Sequence, residues 1–329
     1  MILARAPLRA PLGGGGTDLP SYYSKHGGFI LSAAINKYVY IGVNRPSADD
    51  YVRVKYSQYE QVTSADEVEH DLVRPTLNLM SLPNNIEIVS LADVPDGTGL
   101  GSSSSYLVAL LTALRQLKRD KVSPKALAEE AYHIERCLAG HPVGKQDHYL
   151  AAFGGITVLE IQQDGEVTVT PMQLSISALE DFRSSILLFY TGQNRSSSTI
   201  LHHQEKDTRA ENSEVIDSLH RTKELGYRVK ECLENGDVEK FGILLDLHWQ
   251  NKKRRSTHIS DSRIDEWYQL ARENGALGGK IMGAGGGGFF MLCCPNGRKT
   301  KLRQSMSSAG LREVFYEFDF EGSKVVADF

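Results

Sequence analysis

The sequence predicts an α+β fold, and three observations carry that prediction. Segments of strand composition and segments of helical spacing are mixed without a steady strand–helix–strand repeat, which argues against a doubly wound parallel sheet. Residues 28–44, GGFILSAAINKYVYIGV, are rich in β-branched and aromatic side chains. Leu107, Leu110, Leu111, Leu114 and Leu117 fall at i, i+3, i+4, i+7 and i+10, one apolar face of a helix.

Taken in order, Ile2-Leu-Ala-Arg-Ala-Pro-Leu-Arg9 reads as a strand at a sheet edge, because of its prolines. Residues 28–44 read as two strands, arranged as a hairpin, broken at Asn36-Lys37. Residues 51–56 alternate as a further strand, 64–82 look helical and 86–90 look strand-like. The leucine-faced helix follows. Ser123, with Pro124 at the first helical position, opens another helix that runs to about 138 and contains Glu135. A short helix ends at Phe153, and strands are expected at 156–161 and 166–170. The pattern weakens over 172–181, which suggests a junction between domains at 1–178 and 179–329. Beyond it come a strand at 185–190, helices at 199–235, 237–251 and 261–274, an apolar strand from Phe289 to Cys294, a helix near 297–308 and a strand near 312–319.

Composition narrows the function classes. With 329 residues, 41% apolar and 24% charged, the chain is a soluble globular protein of one large or two ordinary domains. A net charge of −4 gives no bulk attraction to nucleic acid or to an anionic membrane. The longest apolar stretch, 29–43, is interrupted by Ser32, Asn36 and Lys37, and the N-terminus lacks the apolar core of a signal peptide. A cytoplasmic location is therefore expected, with no membrane or nucleic-acid partner. None of Cys137, Cys232, Cys293 and Cys294 forms C-x-x-C, so inert buried thiols are expected and zinc is not. The neighbours Cys293 and Cys294 should face opposite sides of a strand. His141, His148, His202, His203, His248 and His258 match no common metal spacing and read as surface or pocket-lining residues.

The stretch with most chemical content is Pro95-Asp-Gly-Thr-Gly-Leu-Gly-Ser-Ser-Ser-Ser105. A glycine loop here feeds the first turn of a buried helix. The open N–H groups and positive dipole end of such a helix bind anions, phosphate above all. It lacks the Gly-Lys-Ser/Thr of a Walker loop, and Gly97, Gly99 and Gly101 do not fit G-x-G-x-x-G. Taken alone it reads equally well as a flexible loop with a serine cap. Two more glycine stretches accompany it: Gly13-Gly-Gly-Gly16 before Thr17 and Asp18, and Gly278-Gly-Lys-Ile-Met-Gly-Ala-Gly-Gly-Gly-Gly288. From residue types alone, Asp18 suits capping of the next segment as well as holding hydroxyls.

Together these three stretches and their flanks resemble the GHMP kinases over nearly the whole chain. The first is Arg5-Ala-Pro-Leu-Arg-Ala-Pro-Leu-Gly-Gly-Gly-Gly-Thr-Asp18. The second is Pro95 to Ser104, and the third is Lys280-Ile-Met-Gly-Ala-Gly-Gly-Gly-Gly288. Within the family, the Gly-Gly-Gly-Thr-Asp form and Gly144-Lys-Gln-Asp147 look most like the D-glycero-D-manno-heptose 7-phosphate kinases, and the fucose kinases share the first feature. Galactokinases carry Gly-Glu-His-Thr-Asp where this chain has Gly14-Gly-Gly-Thr-Asp18, which argues against galactose.

The resemblance implies a two-domain fold. Its N-terminal domain is like the second domain of ribosomal protein S5, its C-terminal domain is ferredoxin-like, and the active site lies between them. It implies ATP-dependent, Mg²⁺-assisted phosphoryl transfer to the anomeric hydroxyl of a sugar phosphate, for nucleotide-activated heptose. By this resemblance Pro95, Gly97, Gly99, Leu100, Gly101, Ser102, Ser103 and Ser104 hold ATP, the Ser103 hydroxyl and Glu135 carboxylate hold Mg²⁺, and Asp147 is the general base. Arg9 stabilises the transferring group and Lys145 assists. Gly14, Gly15 and Asp18 are expected at the sugar. The Lys252-Lys-Arg-Arg255 run is not a general family motif; as fixed cationic donors Arg195, Lys252 and Arg255 suit the remote phosphate, with a solvated basic run as the alternative. The rival readings are a kinase of an unphosphorylated sugar such as fucose, an ion pair among these residues that is only structural, and a silent sugar and ATP sensor on the same fold. A homodimer stays open.

Overall fold

A computed structural model describes residues 1–329 apart from 83, 194–196, 257 and 296. It opens with strand β1 (Ile2–Gly13), helix α1 (Pro20–His26) and strand β2 (Gly28–Asn44). The expected hairpin in 28–44 is instead one continuous strand. Pro7 pairs with Tyr38 and Leu8 with Ile35, so Asn36 and Lys37 are the extra residues of a bulge. Asn36 is held there by Glu317, whose N–H donates to Asn36 Oδ1 at 2.8 Å and whose carbonyl accepts from Asn36 N–H at 2.9 Å.

Strands β3 (Val52–Lys55) and β4 (Tyr59–Val62) follow. The helix expected over 64–82 is broken up: a single 3₁₀ turn at Ala65–Glu67 precedes α2 (Val73–Met80). Then come β5 (Ile86–Ala92), α3 (Ser102–Lys118) and α4 (Pro124–His133), which runs into one π turn, Ile134–Leu138. Next are α5 (Gln146–Phe153), β6 (Ile156–Ile161) and β7 (Val167–Pro171). The weakly patterned stretch after β7 contains a helix, α6 (Ile176–Ser185), capped by Ser175 Oγ, which accepts from Ala178 N–H at 3.2 Å.

Beyond β8 (Ile186–Tyr190), the single helix expected over 199–235 is two, α7 (Ser197–Arg209) and α8 (Ser213–Glu234). Asn212 breaks it because its side chain caps α8, accepting from the amides of Glu214 and Val215. The chain closes with α9 (Val238–Lys253), α10 (Ser262–Glu273), β9 (Gly278–Ile281), β10 (Phe289–Cys293), α11 (Lys299–Ser308), β11 (Arg312–Glu313) and β12 (Lys324–Asp328). The strand expected over 312–319 shrinks to two residues, and β12 had no signal in the sequence.

One sheet runs β12-β1-β2-β5-β3-β4, with β6 on β2 and β7 on β6; the other runs β11-β8-β10-β9. The edge expected for β1 holds for only part of it. Residues 2–5 are covered by β12, and Pro7 and Pro11 fall beyond that pairing, where a missing N–H breaks no ladder. Because β12 carries the chain end back to the first sheet, a division at residue 178 leaves one C-terminal strand in the N-terminal half. Helix α3 buries Leu107, Leu110, Leu111 and Leu114 completely, as its spacing requires. Leu225, Val229, Phe241 and Leu244 of α8 and α9 join the same apolar cluster as β1 and β2, so the two halves share a continuous core. Cys293 packs into that cluster and Cys294 into a second one around Trp249 and Phe290. Cys232 is also buried, but Cys137 is exposed, against expectation. Among the described residues no helix is long and apolar enough to cross a membrane.

Candidate active site

The three glycine stretches converge on one cleft, whose walls include Gly15, Asp18, Gly101, Ser103, Asp147 and Lys252. Helix α3 begins at its rim. Gly101 takes the N-cap position at φ 81°, no side chain caps the helix, and its first turn holds no acidic residue. The amides of that turn are thus left for an anionic ligand. Ser102 and Ser103 line the cleft, and Ser102 Oγ has no hydrogen-bond partner among the described residues.

Glycine is required at two points here. A Cβ on Gly101 would sit 3.0 Å from Asp147 Oδ2, in addition to the left-handed backbone. A Cβ on Gly99 would sit 2.7 Å from the Met282 carbonyl oxygen, so the second and third glycine segments lie back to back.

Asp147 stands in the first turn of α5. Arg9 grips it as a fork, Nε to Oδ1 and Nη2 to Oδ2, both at 2.7 Å, while Arg9 Nη1 donates to the Gly99 carbonyl. The Arg9 amide donates to the Leu100 carbonyl at 3.0 Å. Each Asp147 oxygen keeps a lone pair for a hydroxyl, and two of the five N–H groups of Arg9 stay unused by these bonds. The ion pair therefore orients the carboxylate without consuming it.

Other expected residues are placed differently. Lys145 turns away from the cleft: its Nζ donates to Glu129 Oε1 at 2.6 Å and to the Gly165 carbonyl at 2.8 Å, over the Tyr132 ring. That geometry is a structural tie and does not support the expected catalytic assistance. Gly97 lines the cleft, whereas the Leu100 side chain is in the core and Pro95 offers its carbonyl to Thr98 Oγ1 at 3.1 Å. Ser104 is buried, and its hydroxyl donates to Glu135 Oε2 at 2.7 Å.

Glu135 lies in the π turn and is fully buried behind the first turn of α3. His148 Nε2 donates to the same Oε2 at 2.7 Å, and His141 Nδ1 stands 3.6 Å from Oε1. Burial pushes this carboxyl up, but His141, His148 and Ser103 outweigh it and hold it below the usual carboxylate range. Oε1 accepts no hydrogen bond among the described residues. A buried carboxylate near Ser103 with one oxygen free of hydrogen bonds suits a hard cation that also takes oxygens from phosphate and water. Among the described residues no group of three or more His, Cys, Asp and Glu side chains could hold a metal by itself.

On the acceptor side, Asp18 lines the cleft and accepts from the amides of Gln146 at 3.0 Å and Gly16 at 3.3 Å, and burial raises its pKa. Gly15 lines the cleft too, but Gly14 is packed against the Phe29 carbonyl and does not. Lys252 Nζ donates to the carbonyls of Gly283 at 2.6 Å and Ile281 at 3.1 Å. Arg255 donates to Ser218 Oγ at 3.0 Å, to Thr222 Oγ1 and to the Gly15 carbonyl at 3.3 Å. Burial, then the charges of Arg255 and Arg9, push Lys252 down to about 7; burial pushes Arg255 down to about 10. Arg195 lies outside the described residues.

Lys280, Gln204, His148 and His248 are part of the site without having an expected role in it. His248 lines the cleft as expected of a pocket residue, but His148 is fully buried against Glu135, away from the surface. Lys280 carried a legible signal, a lone cation inside the apolar strand Gly278–Ile281. Gln204 carried none: it reaches the cleft because α7 lies across it, with its Nε2 donating to the Gly16 carbonyl at 3.1 Å.

Residues 66–155 match the GHMP kinases N terminal domain and residues 229–311 match the GHMP kinases C terminal domain. The chain belongs to the GHMP kinase family. As a GHMP kinase it is a phosphotransferase, and the family uses ATP as donor. This GHMP kinase is 28% identical over 338 residues to the D-glycero-alpha-D-manno-heptose 7-phosphate kinase of Campylobacter jejuni, covering 98% of this chain and 97% of that one. It is 26% identical to the galactokinase of Pyrococcus furiosus, over 99% of this chain and 97% of that one. Its fold superposes with a TM-score of 0.82 on the crystal structure of a D-glycero-D-manno-heptose 1-phosphate kinase from Bacteriodes thetaiotaomicron, at 26% identity and covering 100% of both chains.

Proposed function

We infer that this GHMP kinase transfers the γ-phosphoryl group of ATP to the anomeric hydroxyl of D-glycero-D-manno-heptose 7-phosphate, giving the 1,7-bisphosphate. The observation that carries the reading is the acceptor side of the cleft, where Lys252 and Arg255 are buried with carbonyls and hydroxyls, and among the described residues no carboxylate, as partners. Such a pair suits the remote phosphate of a sugar phosphate better than a neutral sugar. Full-length similarity to the Campylobacter jejuni heptose 7-phosphate kinase supports the same reading.

Phosphoryl transfer depends on positioning and charge neutralisation more than on covalent chemistry. The first-turn amides of α3 and the hydroxyls of Ser102 and Ser103 bind the triphosphate. Asp18 accepts hydrogen bonds from sugar hydroxyls. Asp147, oriented by Arg9, accepts the proton of the attacking hydroxyl at a free lone pair. Ser103 and Glu135 would hold Mg²⁺, which when bound neutralises phosphate charge.

The test is ADP release with a panel of sugars, each with and without a terminal phosphate, and ³¹P NMR to locate the new phosphate. The heptose 7-phosphate should exceed the free heptose by about 100-fold or more in kcat/KM, the scale of a charge-assisted contact and more. Equal use of L-fucose and the heptose phosphate would replace this reading with that of a neutral-sugar kinase.

A further inference from the structure

The acceptor side of the cleft holds more buried positive charge than Lys252 and Arg255 supply. Lys280 on β9 is 2% exposed and lines the same cleft. Its Nζ donates to the Leu12 carbonyl at 3.1 Å and to His248 Nδ1 at 2.9 Å. Since Nδ1 accepts, the neutral ring carries its hydrogen on Nε2. That Nε2 is buried and meets no partner among the described residues, although His248 is 4% exposed and lines the cleft.

Arg9 stands close enough to add to the repulsion, and the Tyr22 hydroxyl faces Arg255. The carboxylates on the cleft are otherwise engaged or elsewhere: Asp147 is bound to Arg9, Asp18 to two amides, and Asp96 belongs to the second glycine stretch. Among the described residues no carboxylate pairs with Lys280, Lys252 or Arg255. Buried cations left unpaired are costly, and an anionic ligand removes that cost.

We propose that Lys280, Lys252, Arg255 and the Nε2–H of His248 form one cradle for a phosphate dianion, and that filling it draws protons into the protein. The cradle rests on the sugar-phosphate reading only for whose phosphate it takes. Burial, and then the charges of Lys252, Arg255 and Arg9, push Lys280 well below the ordinary lysine range, and Lys252 sits at about 7. With the cradle empty, Lys252 is largely deprotonated at pH 8, and the hold of Lys280 on its proton is weakened in the same direction. A dianion beside them favours the charged forms, so binding takes up protons from solution.

The experiment is calorimetric titration of the intact protein with inorganic phosphate at pH 8, in buffers of different ionisation heat, which counts protons exchanged. Wild type should bind phosphate with net proton uptake. Lys280→Met should lose about 10-fold or more in phosphate affinity together with much of the uptake. Absence of phosphate binding in the wild type, or binding without proton uptake, overturns the proposal with no variant needed. Two arms identify the source. An ADP affinity kept within about threefold in Lys280→Met assigns the cradle to the acceptor, and a parallel loss assigns it to the nucleotide. Turnover that demands a sugar phosphate yet ignores Lys280→Met sinks the cradle and leaves the substrate reading standing. Phosphate binding that depends on Lys280, in an enzyme indifferent to the sugar's phosphate, does the reverse.

Discussion

Asp147 and Lys145 stand two positions apart, yet the structure gives them opposite duties. The Asp147 carboxylate faces the cleft in a fork with Arg9, while the Lys145 ammonium is tied to Glu129 and the Gly165 carbonyl. Asp147→Asn keeps the size of the side chain and removes its charge. It should lower kcat by about 1,000-fold, the scale of a lost general base, with ATP affinity measured by titration within about threefold. Lys145→Met should lower the melting temperature and leave kcat within about threefold, because the charge it removes compensates Glu129 and not a ligand. Glu135→Ala deletes Oε1, which accepts no hydrogen bond among the described residues, the acceptor of Ser104 and His148, and the carboxylate beside His141. It should raise the Mg²⁺ concentration needed for half-maximal rate by about 10-fold or more, read by varying Mg²⁺ at saturating ATP.

At the scale of elements, the sequence made legible what depends on local chemistry. The leucine period of α3, the Ser123-Pro124 start of α4 and the alternation that splits Cys293 from Cys294 are properties of neighbouring residues, and the structure has them. What it hid depends on distant partners. Asn36-Lys37 looked like a turn, but Glu317, far along the chain, holds Asn36 in a bulge of an unbroken strand. The two-residue β11 and the returning β12 exist because β8 and β1 offer them edges. Likewise the second and third glycine stretches were recognisable as motifs, but their contact through Gly99 and Met282 was not. Lys280 and His248 meet only because β9 lies beside α9. The break between α7 and α8 was visible in principle at Asn212, a residue suited to capping. Asn212→Ala should therefore cost about 1 kcal/mol in urea unfolding, the usual worth of an N-cap, with KM unchanged.

For the whole molecule, the cleft is a place where binding is set against stability. Lys252 ordinarily titrates near 10.5 and sits at about 7 in the folded chain. Between those values the folded protein holds fewer protons than the unfolded one, so this group makes stability rise as pH increases from about 7 to 10. His141 acts in the opposite sense: the hydrogen bond to Asp71 and the Glu135 carboxylate 3.6 Å away raise it from 6.5 to about 10, so its contribution is complete below 6.5 and fades as pH climbs through 10. Comparison with Lys252→Met isolates the contribution of Lys252. The melting temperature of wild type relative to that variant should increase from pH 7 to pH 10, and a flat difference would show that Lys252 keeps its charge in the empty cleft.

Phosphoryl transfer in this cleft requires a nucleotide's phosphates against the first turn of α3 with Asp147 facing the acceptor. A crystal structure with a non-hydrolysable ATP analogue and the heptose 7-phosphate tests this directly. Phosphate oxygens are expected on the amides of residues 101–104 and the anomeric hydroxyl within hydrogen-bond distance of Asp147. Phosphates bound elsewhere, or an acceptor hydroxyl out of reach of Asp147, would contradict it.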